Sequence, residues 1–329
     1  MQEINNINLI LNEFKIKAYC VNYQSINNYS FYDLKLNSIT KVKDIQNIGN
    51  EISLALQAPC KPAIKVLHAQ GVVRLEFISS KIKKINLLNL MLNSVRPQGE
   101  LMCLLGTKVD GDSLWMDLSK NPHMIVSGTT GSGKSILLHN IIANILYFNS
   151  ARLFLIDPKN VEFSGYQNSF ENIKVYNDYT SCLRTIEFLL GLMETRYNLL
   201  RNVAISNLEP QILIIDEFAD FIMQDKDNEL YSALCRLAQK CRAAKIYIIL
   251  ATQRPSANII NGSIKANFPA RISCRVTSNI ESKIILDSVG AENLFGSGDA
   301  LIKDSLRNIE RFQIAYTDSK EIFNFFEKK

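Results

Sequence analysis

The chain has no C-x-x-C pair, and its seven cysteines are scattered and odd in number. That pattern excludes a disulfide framework and a thiolate zinc site, and it predicts a reducing, cytoplasmic setting. Long apolar runs are missing too. The longest, such as 246–251 and 212–215, are strand-sized and far short of a membrane span. The N-terminus has neither the basic start nor the apolar core of a signal peptide. Internal repeats and low-complexity tails are absent. Charge of one sign is not strongly in excess: the net value is +5 over 329 residues, which permits nucleic-acid contact without arguing for it. What remains is a chain with 47% hydrophobic and 21% charged residues, enough for a large core and for two domains.

Periodicity divides the chain. In the first 85 residues, Tyr32, Leu34 and Leu36 alternate with Asp33 and Lys35, and Val73, Leu75 and Phe77 alternate with Arg74 and Glu76. Both read as half-buried strands. Val42, Ile45, Ile48, Ile52 and Leu56 recur at helical spacing. This predicts a small α+β unit over 1–85, in which a lone His68 carries no metal chemistry. Residues 86–118 read as a linker and a hairpin turning at Asp110-Gly111-Asp112. Beyond them, helical segments separate the apolar runs 153–156, 212–215 and 246–251. That predicts a doubly wound α/β domain with a parallel sheet covered on both faces.

One segment carries explicit chemistry: Gly128-Thr129-Thr130-Gly131-Ser132-Gly133-Lys134-Ser135. It is a complete G-x-x-x-x-G-K-S loop between an apolar strand and an amphipathic helix. The glycines let backbone N–H groups curl around a phosphate at a helix N-terminus. Lys134 adds a point charge, and the Ser135 hydroxyl suits Mg²⁺. A second strand, 211–215, ends in Asp216-Glu217. There Asp216 is expected to hold Mg²⁺ through water and Glu217 to polarise the attacking water. Gln253, at the tip of a third strand, is placed to sense a γ-phosphate. The helix expected over 229–245 has an apolar stripe at Leu230, Leu234, Leu237 and Cys241, with Arg236 and Arg242 on opposite sides. Either arginine can reach a neighbouring subunit's nucleotide.

With these residues in place, the chain resembles the FtsK/SpoIIIE family of double-stranded DNA translocases. The matching segments include Pro122-His123, the phosphate loop, Leu155-Ile156-Asp157-Pro158-Lys159 and Met193-Glu194-Thr195-Arg196-Tyr197. They continue through Ile215-Asp216-Glu217-Phe218-Ala219-Asp220, the stretch from Arg236 to Ala244, and Ala251-Thr252-Gln253-Arg254-Pro255-Ser256. Last come Ile264-Lys265-Ala266-Asn267, Arg271-Ile272, Gly290-Ala291-Glu292 and Gly296-x-Gly298-Asp299. The resemblance implies a RecA-like P-loop NTPase motor domain over 86–329, with ATP and Mg²⁺ as cofactors. It also implies a hexameric ring threaded by duplex DNA. By position, Arg242 corresponds to the trans-acting arginine, and Arg254 and Lys265 to pore-loop residues on the DNA backbone. The segment 256–266 is expected to be a flexible loop.

Departures from the family sharpen the expectation. Asn279 stands where the family commonly has a lysine, leaving Lys283 as an alternative cation at the nucleotide. On this resemblance no membrane anchor and no C-terminal winged-helix domain are expected, which suggests a motor carried by a mobile element. Conjugative coupling and genome packaging share the same chemistry, and neighbouring genes would separate them. A protein-secretion motor is the more distant reading.

Overall fold

Two sheets organise the computed structural model, which describes residues 2–167, 169–202, 208–305 and 308–326. The smaller is four antiparallel strands: β1 (Ala18–Ile26), β2 (Tyr29–Leu36), β3 (Ala63–Leu67) and β4 (Val72–Ile78), in the order β1-β2-β4-β3. The helix Gln2–Glu13 and the short helices Val42–Asn47 and Gly49–Ala55 pack on it around Ile7, Leu11, Leu34, Ile45, Ile52 and Leu75.

The larger sheet holds ten strands: β5 (Met102–Lys108), β6 (Ser113–Asp117), β7 (His123–Ser127), β8 (Arg152–Ile156), β9 (Ile173–Tyr176), β10 (Gln211–Ile215), β11 (Ile246–Thr252), β12 (Ala270–Cys274), β13 (Asp299–Lys303) and β14 (Glu310–Ile314). Their order is β6-β5-β14-β13-β12-β7-β11-β10-β8-β9. From β12 to β9 all pairs are parallel, whereas β13, β14, β5 and β6 add an antiparallel flank. The expected doubly wound sheet is therefore mixed. The β13–β14 hairpin was not read from the sequence, and it joins β5 across some two hundred residues of chain.

Period-two alternation explains why both faces are dry. On β7, Met124 and Val126 face one core and Ile125 the other. The same split separates Leu153 and Leu155 from Phe154 and Ile156 on β8, and Ile212 and Ile214 from Leu213 and Ile215 on β10. The helix Lys134–Phe148 covers the first face through Leu137, Leu138, Ile141, Ile142 and Ile145. The helices Tyr179–Asn202 and Glu229–Lys240 cover the second through Ile186, Leu189 and Met193, and Leu230, Leu234 and Leu237.

Two buried asparagines lock the first of these helices in place. Asn144 accepts from the Leu104 amide at 2.7 Å and donates to the Leu104 carbonyl at 3.1 Å. Asn140 donates to the carbonyls of Leu105 and Ala315. These bonds tie the helix to β5 beside the irregular register between Leu104 and Gly106 and to the chain just after β14. Among the described residues no helix is long and apolar enough to cross a membrane, and no cysteine is paired in a disulfide.

Candidate active site

Strand order decides what meets at the carboxyl edge of the parallel strands. β11 lies between β7 and β10, so Ser127 ends beside Thr252, and Ile215 ends beside Leu250, two residues earlier. Connections leave β7 toward β8 and return to β12 on its other side, which opens a crevice at that edge. The phosphate loop occupies it. Gly128, Gly131 and Gly133 all have positive φ. A Cβ at Gly133 would lie 2.8 Å from the Gly298 Cα, so glycine is required there for close backbone approach. The loop is braced from outside: the Thr129 amide donates to the Arg275 carbonyl at 2.9 Å, and the Gly298 amide to the Ser132 carbonyl at 2.9 Å.

Lys134 is buried and its Nζ contacts Asp216 Oδ1. Ser135 Oγ donates to Glu162 Oε1 at 2.8 Å. Glu217 is buried and left-handed, at φ 47°, between β10 and the helix Phe218–Gln224. That strained geometry carries the carboxylate over the end of β11. Its Oε1 accepts from Thr252 Oγ1 at 3.0 Å and from the Gln253 amide at 3.1 Å. Its Oε2 is buried without a hydrogen-bond partner, 3.8 Å from Lys159 Nζ. Gln253 Oε1 in turn accepts from Thr130 Oγ1 at 3.1 Å. The structure thus gathers Lys134, Ser135, Asp216, Glu217 and Gln253 into one cluster.

A cavity of about 420 Å³ opens from the loop, lined by Lys134, Ser135 and Glu162 at one end. Ile82, Ile314 and Tyr316 line it as well, and Lys84 Nζ sits 3.9 Å above the Tyr316 ring. Its size and its mixed walls suit a nucleotide. The hard oxygens of Ser135 and Asp216 fit Mg²⁺. Among the described residues no group of three or more His, Cys, Asp or Glu could hold a metal by itself.

Several contributors were missed in the sequence. Asp157 Oδ2 accepts from the amides of Val161, Glu162 and Phe163, which turns Glu162 toward Ser135. His139 lies 3.5 Å from the other Glu162 oxygen. The hydrogen bond from His139 lowers the Glu162 pKa below its ordinary value, against burial, and Ser135 adds to the effect. The signal was the tight turn after Asp157-Pro158-Lys159, which brings a glutamate back to the loop helix.

The proposed cations fall elsewhere. The helix after Asn228 ends at Lys240, and Cys241–Lys245 form turns, so Arg242 lies beyond the helix expected to carry it. It sits at the opposite edge of the sheet, just before β11, exposed and without an ion pair among the described residues. Arg236 is ion-paired with Glu194. Arg254 is exposed beside Gln253. Lys265 departs from the expected flexible loop. It lies on the helix Gly262–Asn267, capped by Asn261 and anchored by buried Ile264, and it pairs with Asp287. Arg271 and Lys303 share that carboxylate. Burial lets apolar Ile259, Ile260 and Ile264 override the polar composition of this segment. Neither Asn279 nor Lys283 lines a cavity at the phosphate loop. Lys283 lines one with Lys265 and Asp287, whereas Lys84 and Lys134 line the cavity described above and Arg275 lines a neighbouring one with Thr129 and Gly131.

Known proteins place this geometry. The FtsK/SpoIIIE family model matches residues 93–213 and 207–257, together half of the chain. The "DNA translocase FtsK" of Chlamydia pneumoniae is 33% identical over 95% of this chain and 42% of its own length. Its namesake from Campylobacter jejuni subsp. jejuni is 36% identical over 82% of the chain and 31% of its own length. The chain thus spans roughly two-fifths or less of these relatives. In fold it is similar to the pCW3 conjugation coupling protein TcpA, solved with ATPγS, at TM-score 0.69 and 21% identity over 100% of this chain and 99% of that one. It is also similar to the type VII secretion ATPase EccC of Thermomonospora curvata, at TM-score 0.63 and 20% identity over 74% of this chain and 34% of that one. A P-loop ATPase fold, a phosphate loop facing an Asp-Glu strand end and a family match along half the sequence agree: the chain belongs to the FtsK/SpoIIIE family.

Proposed function

We propose that this chain is the motor of an ATP-driven double-stranded DNA translocase working as a hexameric ring. The observation that carries the reading is a site divided between the two edges of one sheet. Lys134, Asp216, Glu217 and Gln253 meet at the carboxyl edge, whereas Arg242 lies a full strand length away. Five residues of β7 span roughly 15 Å, beyond the reach of an arginine to its own phosphate loop. A neighbour in a ring brings that arginine to the γ-phosphate, where charge develops in the transition state.

Within the site each group has one task. Loop amides and Lys134 bind the phosphates. Ser135 and Asp216 would hold Mg²⁺, which would supply charge neutralisation at the phosphates. Glu217 has one oxygen fixed by Thr252 and Gln253, and the other is left to accept a proton from the attacking water. Gln253 joins Thr130, Glu217 and the exposed Arg254 in one contact chain. A change at the γ-phosphate therefore moves a residue placed against the DNA backbone. Lys265 contacts DNA when a phosphate replaces Asp287 as its partner. Both contacts are to phosphate and independent of sequence.

The test is ATP hydrolysis by the assembled protein with and without duplex DNA, over a salt series. Stimulation that fades with salt is expected. An oligomer whose hydrolysis ignores duplex DNA would remove DNA translocation and leave a secretion-type motor.

A further inference from the structure

Glu162 touches the loop helix at two points, and its chemistry explains why. Ser135 and His139 stand four residues apart on the helix Lys134–Phe148, hence on one face. Glu162 bridges them, with Oε1 2.8 Å from Ser135 Oγ and Oε2 3.5 Å from His139 Nε2. His139 Nδ1 lies 2.9 Å from Tyr166 Oη, and both of these residues are buried. The Glu162 amide is held by Asp157 Oδ2 at 2.8 Å. The carboxylate is thus fixed from its backbone and from both oxygens.

A serine hydroxyl has one proton and two lone pairs. To ligate a cation it must offer a lone pair and send its proton elsewhere. We propose that Glu162 is a metal-positioning residue: it takes the Ser135 proton in a hydrogen bond, so that the Oγ lone pairs face the magnesium that accompanies the nucleotide. The inference rests on the ATP-site reading above. A charged acceptor makes this bond short and strong and raises electron density on Oγ. His139, presenting Nε2–H to Glu162 and receiving the Tyr166 hydroxyl at Nδ1, keeps the carboxylate from rotating. Glu217 stays the water-polarising group, because both Glu162 oxygens already have partners.

Three variants of the full chain separate position from charge: Glu162→Ala, Glu162→Asp and Glu162→Gln. Glu162 is one-third exposed, so each is compatible with folding. The measurement is binding of a fluorescent non-hydrolysable ATP analogue, in EDTA and across a Mg²⁺ titration. In EDTA all four proteins should bind the analogue within about two-fold of each other, since the phosphate loop itself is untouched. The Mg²⁺ concentration for half-maximal tightening should rise about ten-fold in the alanine and aspartate variants, the usual cost of losing a partner behind a metal ligand. Glutamine keeps the reach and an acceptor oxygen but loses the charge, and should fall between the unaltered protein and the alanine variant. A Mg²⁺ dependence unchanged in Glu162→Ala overturns the proposal. So does an aspartate variant that behaves like the unaltered chain, because charge alone would then suffice. An alanine variant equally weakened in EDTA and in Mg²⁺ also overturns it, as general damage to the pocket. No analogue binding by the unaltered chain would instead overturn the ATP-site reading itself.

Discussion

The two edges of the parallel sheet are built differently. At the carboxyl edge charged groups are buried and interlocked: Lys134 with Asp216, Glu217 with Thr252 and Gln253, Glu162 with Ser135 and His139. At the amino edge Arg242 stands in solvent on a turn, without an ion pair among the described residues. Buried networks hold a fixed geometry and suffer when one member is removed. An exposed arginine costs its own chain little to lose and acts on whatever comes to it. The first edge is interlocked within the chain, and the second is where the proposed ring would place a neighbour's nucleotide.

The largest effect should come from breaking the interlocked edge. Glu217→Gln should still bind ATP but lose at least about 100-fold in turnover, because the acceptor for the water proton is gone. Lys134→Ala should abolish hydrolysis. A Glu217→Gln protein that turns over normally would move the base elsewhere.

The exposed edge should behave otherwise. Arg242→Ala should leave nucleotide affinity and melting temperature unchanged, yet lose on the order of 1000-fold in turnover by the assembled form. Mixing it with Lys134→Ala subunits should restore part of the rate, since one variant supplies the loop and the other the arginine. Loss without recovery on mixing would place Arg242 within its own subunit's site.

A smaller effect lies beneath that arginine. Burial pushes the His123 imidazole down to about 4, with the nearby Arg242 charge adding to the shift. Unfolded, the ring takes a proton near pH 6.5, and folded it does not until about pH 4. Its contribution is therefore complete above pH 6.5 and declines as pH falls toward 4, by about 3 kcal/mol in all. His123→Phe should flatten the melting temperature over this window. An unchanged slope would show that His123 is not the titrating group.

Legibility followed range along the chain. The phosphate loop was readable because its glycines, lysine and serine are contiguous. The Asp216-Glu217 pair was readable because a strand must end where its apolar run does. The β10 and β11 runs are dry on both faces, as a parallel sheet requires. In the antiparallel flank the β5–β6 hairpin was readable from its turn, but its place beside β14 was not, because that pairing joins segments some two hundred residues apart. Glu162 escaped for a related reason: its role depends on Asp157 turning the chain back. The segment 256–266 departs from the flexible loop expected of it because buried Ile259, Ile260 and Ile264 anchor it and a short helix, Gly262–Asn267, that the polar residues around them concealed.

Gly298 and Asp299 are adjacent, and each serves a different sheet. The Gly298 amide holds the phosphate loop through Ser132. Asp299, fully buried, takes the Tyr29 hydroxyl of the small sheet at 3.0 Å and the Arg311 guanidinium, which itself donates to the Glu76 carbonyl of β4. One peptide unit thus links the glycine-rich loop to the arm formed by the first four strands. A displacement of the loop at Ser132 therefore has a hydrogen-bonded route into the small sheet, through the Gly298 amide on one side and the Asp299 carboxylate on the other.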